Sequence, residues 1–224
     1  MKIVLKIGGS IIGLPPDPSI LNLYIEQLLE LRKEGHILAI IVGGGPLSRH
    51  YIETAEALGM NNNDKDELAI LASRLNAKLI VKKLKEFASD VIPTTISQFI
   101  RLLEVSKIAV MGGLKPGITT DAVAALVAQA IDADLFVKAT DQEGVYSKDP
   151  KIYPEAHKLD FITFKELGKM SKMMHKPGIH SILDSKAIKV LEKEGIKTII
   201  LNGFKPENIK FAIRGDKIGT RIEF

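Results

Sequence analysis

The chain has no cysteine, which removes a disulfide framework, a thiolate metal site and a cysteine nucleophile together. Tryptophan is absent too and aromatic residues reach only 5%, so the core must be built from aliphatic side chains. The five histidines, His36, His50, His157, His175 and His180, include no pair at metal-ligand spacing on a helix. No apolar run approaches the roughly 20 residues of a membrane-spanning helix. The opening residues 1–7 are too short a stretch, and too soon followed by glycine, for a signal peptide. A cytoplasmic protein with no membrane partner is expected. Basic tracts are lacking as well. The net charge of +4 comes from scattered lysines and arginines, which argues against nucleic acid and suits small anionic ligands.

What is present is an ordinary globular composition, 46% hydrophobic and 26% charged, in a chain long enough for a substantial buried core. With no repeat, low-complexity tract or obvious linker, residues 1–224 read as a single domain. Apolar strands are expected at 2–7, 37–42, 91–92, 108–111, 135–139, 198–202 and 220–224. Between them helices are expected: 19–34 capped by Ser19, one after Gly45 ending at Gly59, and a long one from about 64 to 88. A short helix falls between 92 and 108, and others cover 120–131, 163–174 and 182–194, with a last one after Pro206. Strands alternating with helices, the strands being continuous apolar runs, predict an α/β three-layer αβα sandwich with a mainly parallel central sheet.

Ligands of such sheets collect at the carboxyl ends of the strands. That rule gathers Gly8-Gly9-Ser10, Gly43-Gly44-Gly45, Gly112–Asp121 and Thr140–Asp149 along one rim. The third of these is the most informative. An apolar strand ends at Met111, and Gly112, Gly113, Pro116 and Gly117 forbid regular structure. Thr119, Thr120 and Asp121 then stand at the start of an alanine-rich helix. Free N–H groups at a helix start, two hydroxyls and Lys115 suit a phosphate; a tight turn capped by threonine is the alternative reading. No loop reads Gly-x-x-x-x-Gly-Lys-Ser/Thr, and Gly43-Gly44-Gly45 lacks the dinucleotide spacing.

Taken together, the loops resemble the amino acid kinase superfamily and, within it, the uridylate (UMP) kinases of archaeal type. Lys6-Ile-Gly-Gly-Ser10 and the strand ending in three glycines identify the superfamily. Asp66 with Ser73-Arg74-Leu75-Asn76-Ala77, the stretch from Met111 to Ala125, and residues 140–149 carry the narrower likeness. The resemblance implies transfer of a phosphoryl group from Mg-ATP to UMP, giving UDP in pyrimidine nucleotide synthesis, by a homohexamer built as a trimer of dimers. It implies that Gly9, Ser10, Gly45 and Arg49 face the ATP phosphates or the group in transfer. Thr140, Asp141, Tyr146 and Asp149 would surround the rest of ATP. Gly44, Asp66 and the loop Leu114, Lys115, Pro116, Gly117, Ile118, Thr119 and Thr120 would hold UMP. Residues up to about 130 would be mainly acceptor-binding and the remainder mainly ATP-binding.

Lys6 ends a strand of Ile, Val and Leu, a costly place for an ammonium unless an anion awaits it; a side chain reaching out of the strand end is the plainer reading. Like-charged phosphates need a second cation, for which Mg²⁺ and Arg49 are candidates. Asp184 matches the family position whose carboxylate orients the catalytic lysine, although a helix-start aspartate also accounts for it. Ser185 and Lys186 depart there from the Pro-Leu that the family commonly carries, and Asp141 stands where relatives often have Asn. Asp66 suits ribose hydroxyls, with a solvent-facing charge as the alternative; Arg74 and Asn76 read as structural. An isopentenyl phosphate kinase, another small-phosphate kinase, or a non-catalytic binding relative are the competing readings.

Overall fold

A computed structural model describes residues 1–150, 152–173 and 182–224. His175, His180 and residue 174, the expected end of a helix, lie outside them. Among the described residues seven strands form one sheet in the order β3-β2-β1-β4-β6-β7-β5. In chain order they are β1 (Lys2–Ile7), β2 (Ile37–Val42), β3 (Ile108–Met111), β4 (Leu135–Thr140), β5 (Phe161–Thr163), β6 (Thr198–Asn202) and β7 (Thr220–Glu223). All neighbours run parallel except β6 and β7, so the expected mainly parallel sheet is present.

The chain steps outward from β1 through β2 to β3, then returns to the other side of β1 for β4. Crevices at such a reversal are where open α/β sheets bind ligands, because loops leaving adjacent strands diverge there. Side chains alternate faces along each strand. Ile3, Leu5 and Ile7 of β1 join Leu135, Val137 and Ala139 of β4 in one apolar layer, and Val4 and Phe136 belong to the other. Helices α1 (Gly9–Ile12), α2 (Pro18–Lys33), α3 (Gly45–Ala57), α4 (Asn62–Leu84), α5 (Ile96–Ser106), α6 (Thr120–Ala130), α7 (Phe164–Met173), α8 (Ser185–Glu194) and α9 (Glu207–Arg214) surround the sheet.

Local chemistry moves several boundaries. Asp17, not Ser19, caps α2: its carboxylate accepts from Ser19 N–H at 2.8 Å, and Pro18 takes the first turn, where its missing N–H costs nothing. Val91 and Ile92 form no strand. The long helix ends at Leu84, one turn earlier than expected, and continues as a 3-10 turn over Lys85–Phe87. Thr163, expected to open a helix, instead ends the edge strand β5 beside β7, and the helix starts at Phe164. Helix α8 begins at Ser185 because Asp184 caps it. Among the described residues no helix is long and apolar enough to cross a membrane.

Candidate active site

Lys6 and Lys138 are register partners on the adjacent parallel strands β1 and β4, so both side chains leave the sheet on one face. Both residues are buried. Two ammonium groups at neighbouring sheet positions repel each other unless a counter-charge lies between them. Asp121, in the first turn of α6, is that charge. Its Oδ1 pairs with Lys6 Nζ at 3.0 Å as an ion pair without hydrogen-bond geometry, and Oδ2 accepts a short hydrogen bond from Lys138 Nζ. Burial would push the Asp121 carboxyl up, yet the charges of Lys138 and Lys6 hold it well below the usual carboxylate range. Burial likewise pushes the Lys138 ammonium below the ordinary lysine value, against the pull of Asp121. Two cations share one anion, which leaves the cluster one positive charge in excess.

The excess faces a cavity of about 540 Å³ at the carboxyl ends of β1, β2 and β4. Every residue expected at ATP lines it: Gly9, Ser10, Gly45 and Arg49 on one side, Thr140, Asp141, Tyr146 and Asp149 on the other. Lys6, Arg49, Lys138 and Lys148 face it with Asp141 and Asp149, so its described lining is net cationic. The glycines are there because nothing larger fits. A Cβ on Gly9 would stand 2.1 Å from the Gly45 nitrogen, and Gly45 itself holds a φ of 58°.

A second cavity of about 390 Å³ adjoins the first, and both are lined by Gly44 and Thr120. Asp66, Lys115, Gly117, Ile118 and Thr119 line it with them. Thr119 is the N-cap of α6, its hydroxyl oxygen accepting from Ala122 N–H at 3.1 Å. Asp66 Oδ2 accepts from Gly117 N–H at 2.7 Å. Leu114 and Pro116 belong to the same loop but do not line either cavity; the Leu114 carbonyl accepts from Arg74. A third cavity, about 420 Å³ between α2 and α4, is walled largely by Pro16, Pro18, Leu21, Ile25 and Leu79, away from the glycine rim.

Asp184 makes no ion pair with Lys6. Its Oδ1 accepts from Lys186 N–H at 2.7 Å and Ala187 N–H at 3.2 Å, the work of a helix cap, while its charge also favours the Lys138 ammonium; Asp121 is the carboxylate paired with both lysines. Sequence reasoning had placed Asp121 only at a helix start and had passed over Lys138. Lys138 carries the same signal as Lys6, a lysine within an apolar strand. Arg74 and Asn76 prove to be loop holders. Asn76 Nδ2 donates to the Gly43 and Gly44 carbonyls at 2.9 and 3.2 Å. Arg74 donates to those of Gly113 and Leu114 at 3.1 and 3.0 Å. Ser73 completes the turn, its Oγ accepting from Gly113 N–H at 2.7 Å. One turn of α4 thereby fixes two glycine loops.

Among the described residues no three His, Asp or Glu side chains group around a common point. Asp141 and Asp149 at the rim supply single hard oxygen donors. That set fits an ion that arrives already bound to nucleotide phosphates and keeps part of its water, as Mg²⁺ does.

Residues 1–202 match the amino acid kinase family. The chain is 40% identical to the uridylate kinase of Pyrococcus abyssi, over the whole of both chains. Against the uridylate kinase of Hyperthermus butylicus it is 37% identical, covering 98% of this chain and 97% of that one. The crystal structure of uridylate kinase from Archaeoglobus fulgidus superposes with a TM-score of 0.90 at 35% identity, covering 99% of this chain and all of the other.

Proposed function

The chain belongs to the amino acid kinase family, and we infer that it is a UMP kinase, transferring the γ-phosphoryl group of ATP to UMP to give UDP and ADP. The observation that carries this is the meeting of the two cavities at Gly44 and Thr120, next to the Lys6–Asp121–Lys138 cluster. Phosphoryl transfer asks for two phosphates in line and for charge neutralisation on the oxygens between them. The larger cavity takes ATP on the glycine loops and residues 140–149, and the smaller takes UMP. Thr119, Thr120 and the N–H groups at the start of α6 receive the acceptor phosphate, and Asp66 faces the ribose.

Lys6 and Lys138 stabilise the charge that develops on the transferring group, and Arg49 reaches it from α3. Asp121 keeps the two lysines charged and side by side. Asp184 caps α8 and adds negative charge that favours the Lys138 ammonium. Asp141 and Asp149 would be the residues near Mg²⁺ arriving with ATP, and the ion would supply further neutralisation of phosphate charge. The smaller cavity is lined wholly by residues 44–120, which supports an acceptor-binding first half; the ATP cavity draws on both halves. A cytoplasmic homohexamer serving pyrimidine nucleotide synthesis completes the proposal.

Turnover of purified protein with Mg-ATP across UMP, CMP, dUMP and isopentenyl phosphate tests it. The highest kcat/KM is expected with UMP. A higher value with isopentenyl phosphate or CMP overturns the assignment.

A further inference from the structure

The acceptor loop is gripped at its apex from two sides. Gly117 has a φ of 76° and no atom near the space a side chain would take, so packing does not fix it. Its N–H donates to Asp66 Oδ2 at 2.7 Å, and its carbonyl accepts from Lys186 Nζ at 3.0 Å. Asp66 stands early in α4, and Lys186 in the first turn of α8, where Asp184 accepts from its backbone N–H. The grip therefore spans the two halves of the chain.

A peptide unit is a rigid plane, so a bond at one edge orients the group on the other. The Asp66 bond sets the plane between Pro116 and Gly117. The Lys186 bond sets the plane between Gly117 and Ile118, and it directs the Ile118 N–H away from α8. Glycine has unusual freedom to flip its flanking planes, and with only one bond made the second plane would be loose. Immediately afterwards come Thr119 and Thr120, at the lip of the smaller cavity.

We propose that Lys186 is a positioning residue for the acceptor nucleotide, acting through the Gly117 carbonyl and not by contact with substrate. It presets the loop so that Asp66, Thr119 and Thr120 meet the acceptor without reordering. The inference rests on the UMP-kinase reading of the site. Its bearing is on binding of the acceptor, since a loop already ordered loses less freedom when a ligand arrives.

Lys186→Met keeps the side-chain length and removes the ammonium; Lys186→Arg keeps a cationic donor. In Lys186→Met the KM for UMP should rise about three- to tenfold, or about 0.7–1.4 kcal/mol at about 1.4 per tenfold. The kcat and the KM for ATP should remain close to wild type, and Lys186→Arg should recover most of the loss. The carbonyl carbon shift of Gly117, followed by NMR on the free protein, should move upfield in Lys186→Met, as expected when a carbonyl loses its donor, while the α6 carbonyls keep their shifts. An unchanged Gly117 carbonyl shift overturns the grip itself. An unchanged UMP KM, or a fall in kcat and a rise in ATP KM as large as the rise in UMP KM, overturns the positioning role. Should wild-type protein fail to phosphorylate UMP, the site reading fails, and the Gly117 carbonyl shift still decides whether Lys186 orders the loop.

Discussion

At the scale of single residues the site is a problem in charge placement. Lys6 and Lys138 stand side by side in register, and Asp121 pairs with both. Removing a charge and removing its partner should have opposite signatures. Lys6→Ala leaves Lys138 and Asp121 as a matched pair, so the fold should survive. The kcat should then drop by about 10²-fold or more with smaller changes in nucleotide affinity. Asp121→Asn leaves two buried ammonium groups without the carboxylate that pairs them. The expected loss is about 3–5 kcal/mol of stability, read from urea unfolding, because an uncompensated buried charge remains. A stability near wild type would show that the lysines are not coupled through Asp121. The pH dependence follows from the same residue. The folded carboxyl lies below its unfolded value of about 3.9, so its stabilisation is present above that pH. It is lost as the pH falls toward the folded value, an acid limb that Asp121→Asn should lack. Lys6 was legible in the sequence as an ammonium among Ile, Val and Leu. The pairing with Lys138 was not, because register between strands far apart in the chain leaves no local trace.

At the scale of elements, α6 and α4 divide the work. Thr119 serves α6 as its cap and Thr120 does not, so matched substitutions should separate structure from binding. Thr119→Val should cost about 1 kcal/mol of stability as well as UMP affinity. Thr120→Val should leave the melting temperature alone and weaken UMP by roughly tenfold or more, at about 1.5–3 kcal/mol for a bond to a charged group. Calorimetric titration with UMP and with a non-hydrolysable ATP analogue measures both arms, and ATP affinity should stay nearer to wild type. If ATP binding falls while UMP binding survives, the two subsites have been exchanged. The glycine loops could be read from the chain because each follows an apolar run directly. The holders on α4 could not. Ser73, Arg74 and Asn76 look like any polar residues on a helix until the carbonyls they meet are in view. Strand β5 escaped for a different reason: three residues with Phe161 half exposed carry no periodicity to detect.

At the scale of the molecule, the parallel part of the sheet was visible because its strands are buried on both faces and so read as unbroken apolar runs. The antiparallel turn of β7 onto β6 has no such signature and is settled by the tertiary fold. The homohexamer is a prediction at this scale, and symmetric closed assembly is the common state of soluble oligomers. Light scattering at working concentration should return a mass of about six chains; a stable monomer would contradict it.

The backbones of Gly9 and Gly45 stand against each other with no room for a single methyl group on either. Their fates are therefore shared. A methyl at one position cannot be relieved by trimming the other, which has nothing left to trim. In a randomised library selected for growth on this enzyme, both positions should return glycine alone, and no double substitution should rescue a single one. Evolution has the same restriction. The floor between the two loops is closed to gradual change, and novelty in this site must enter through the residues around it.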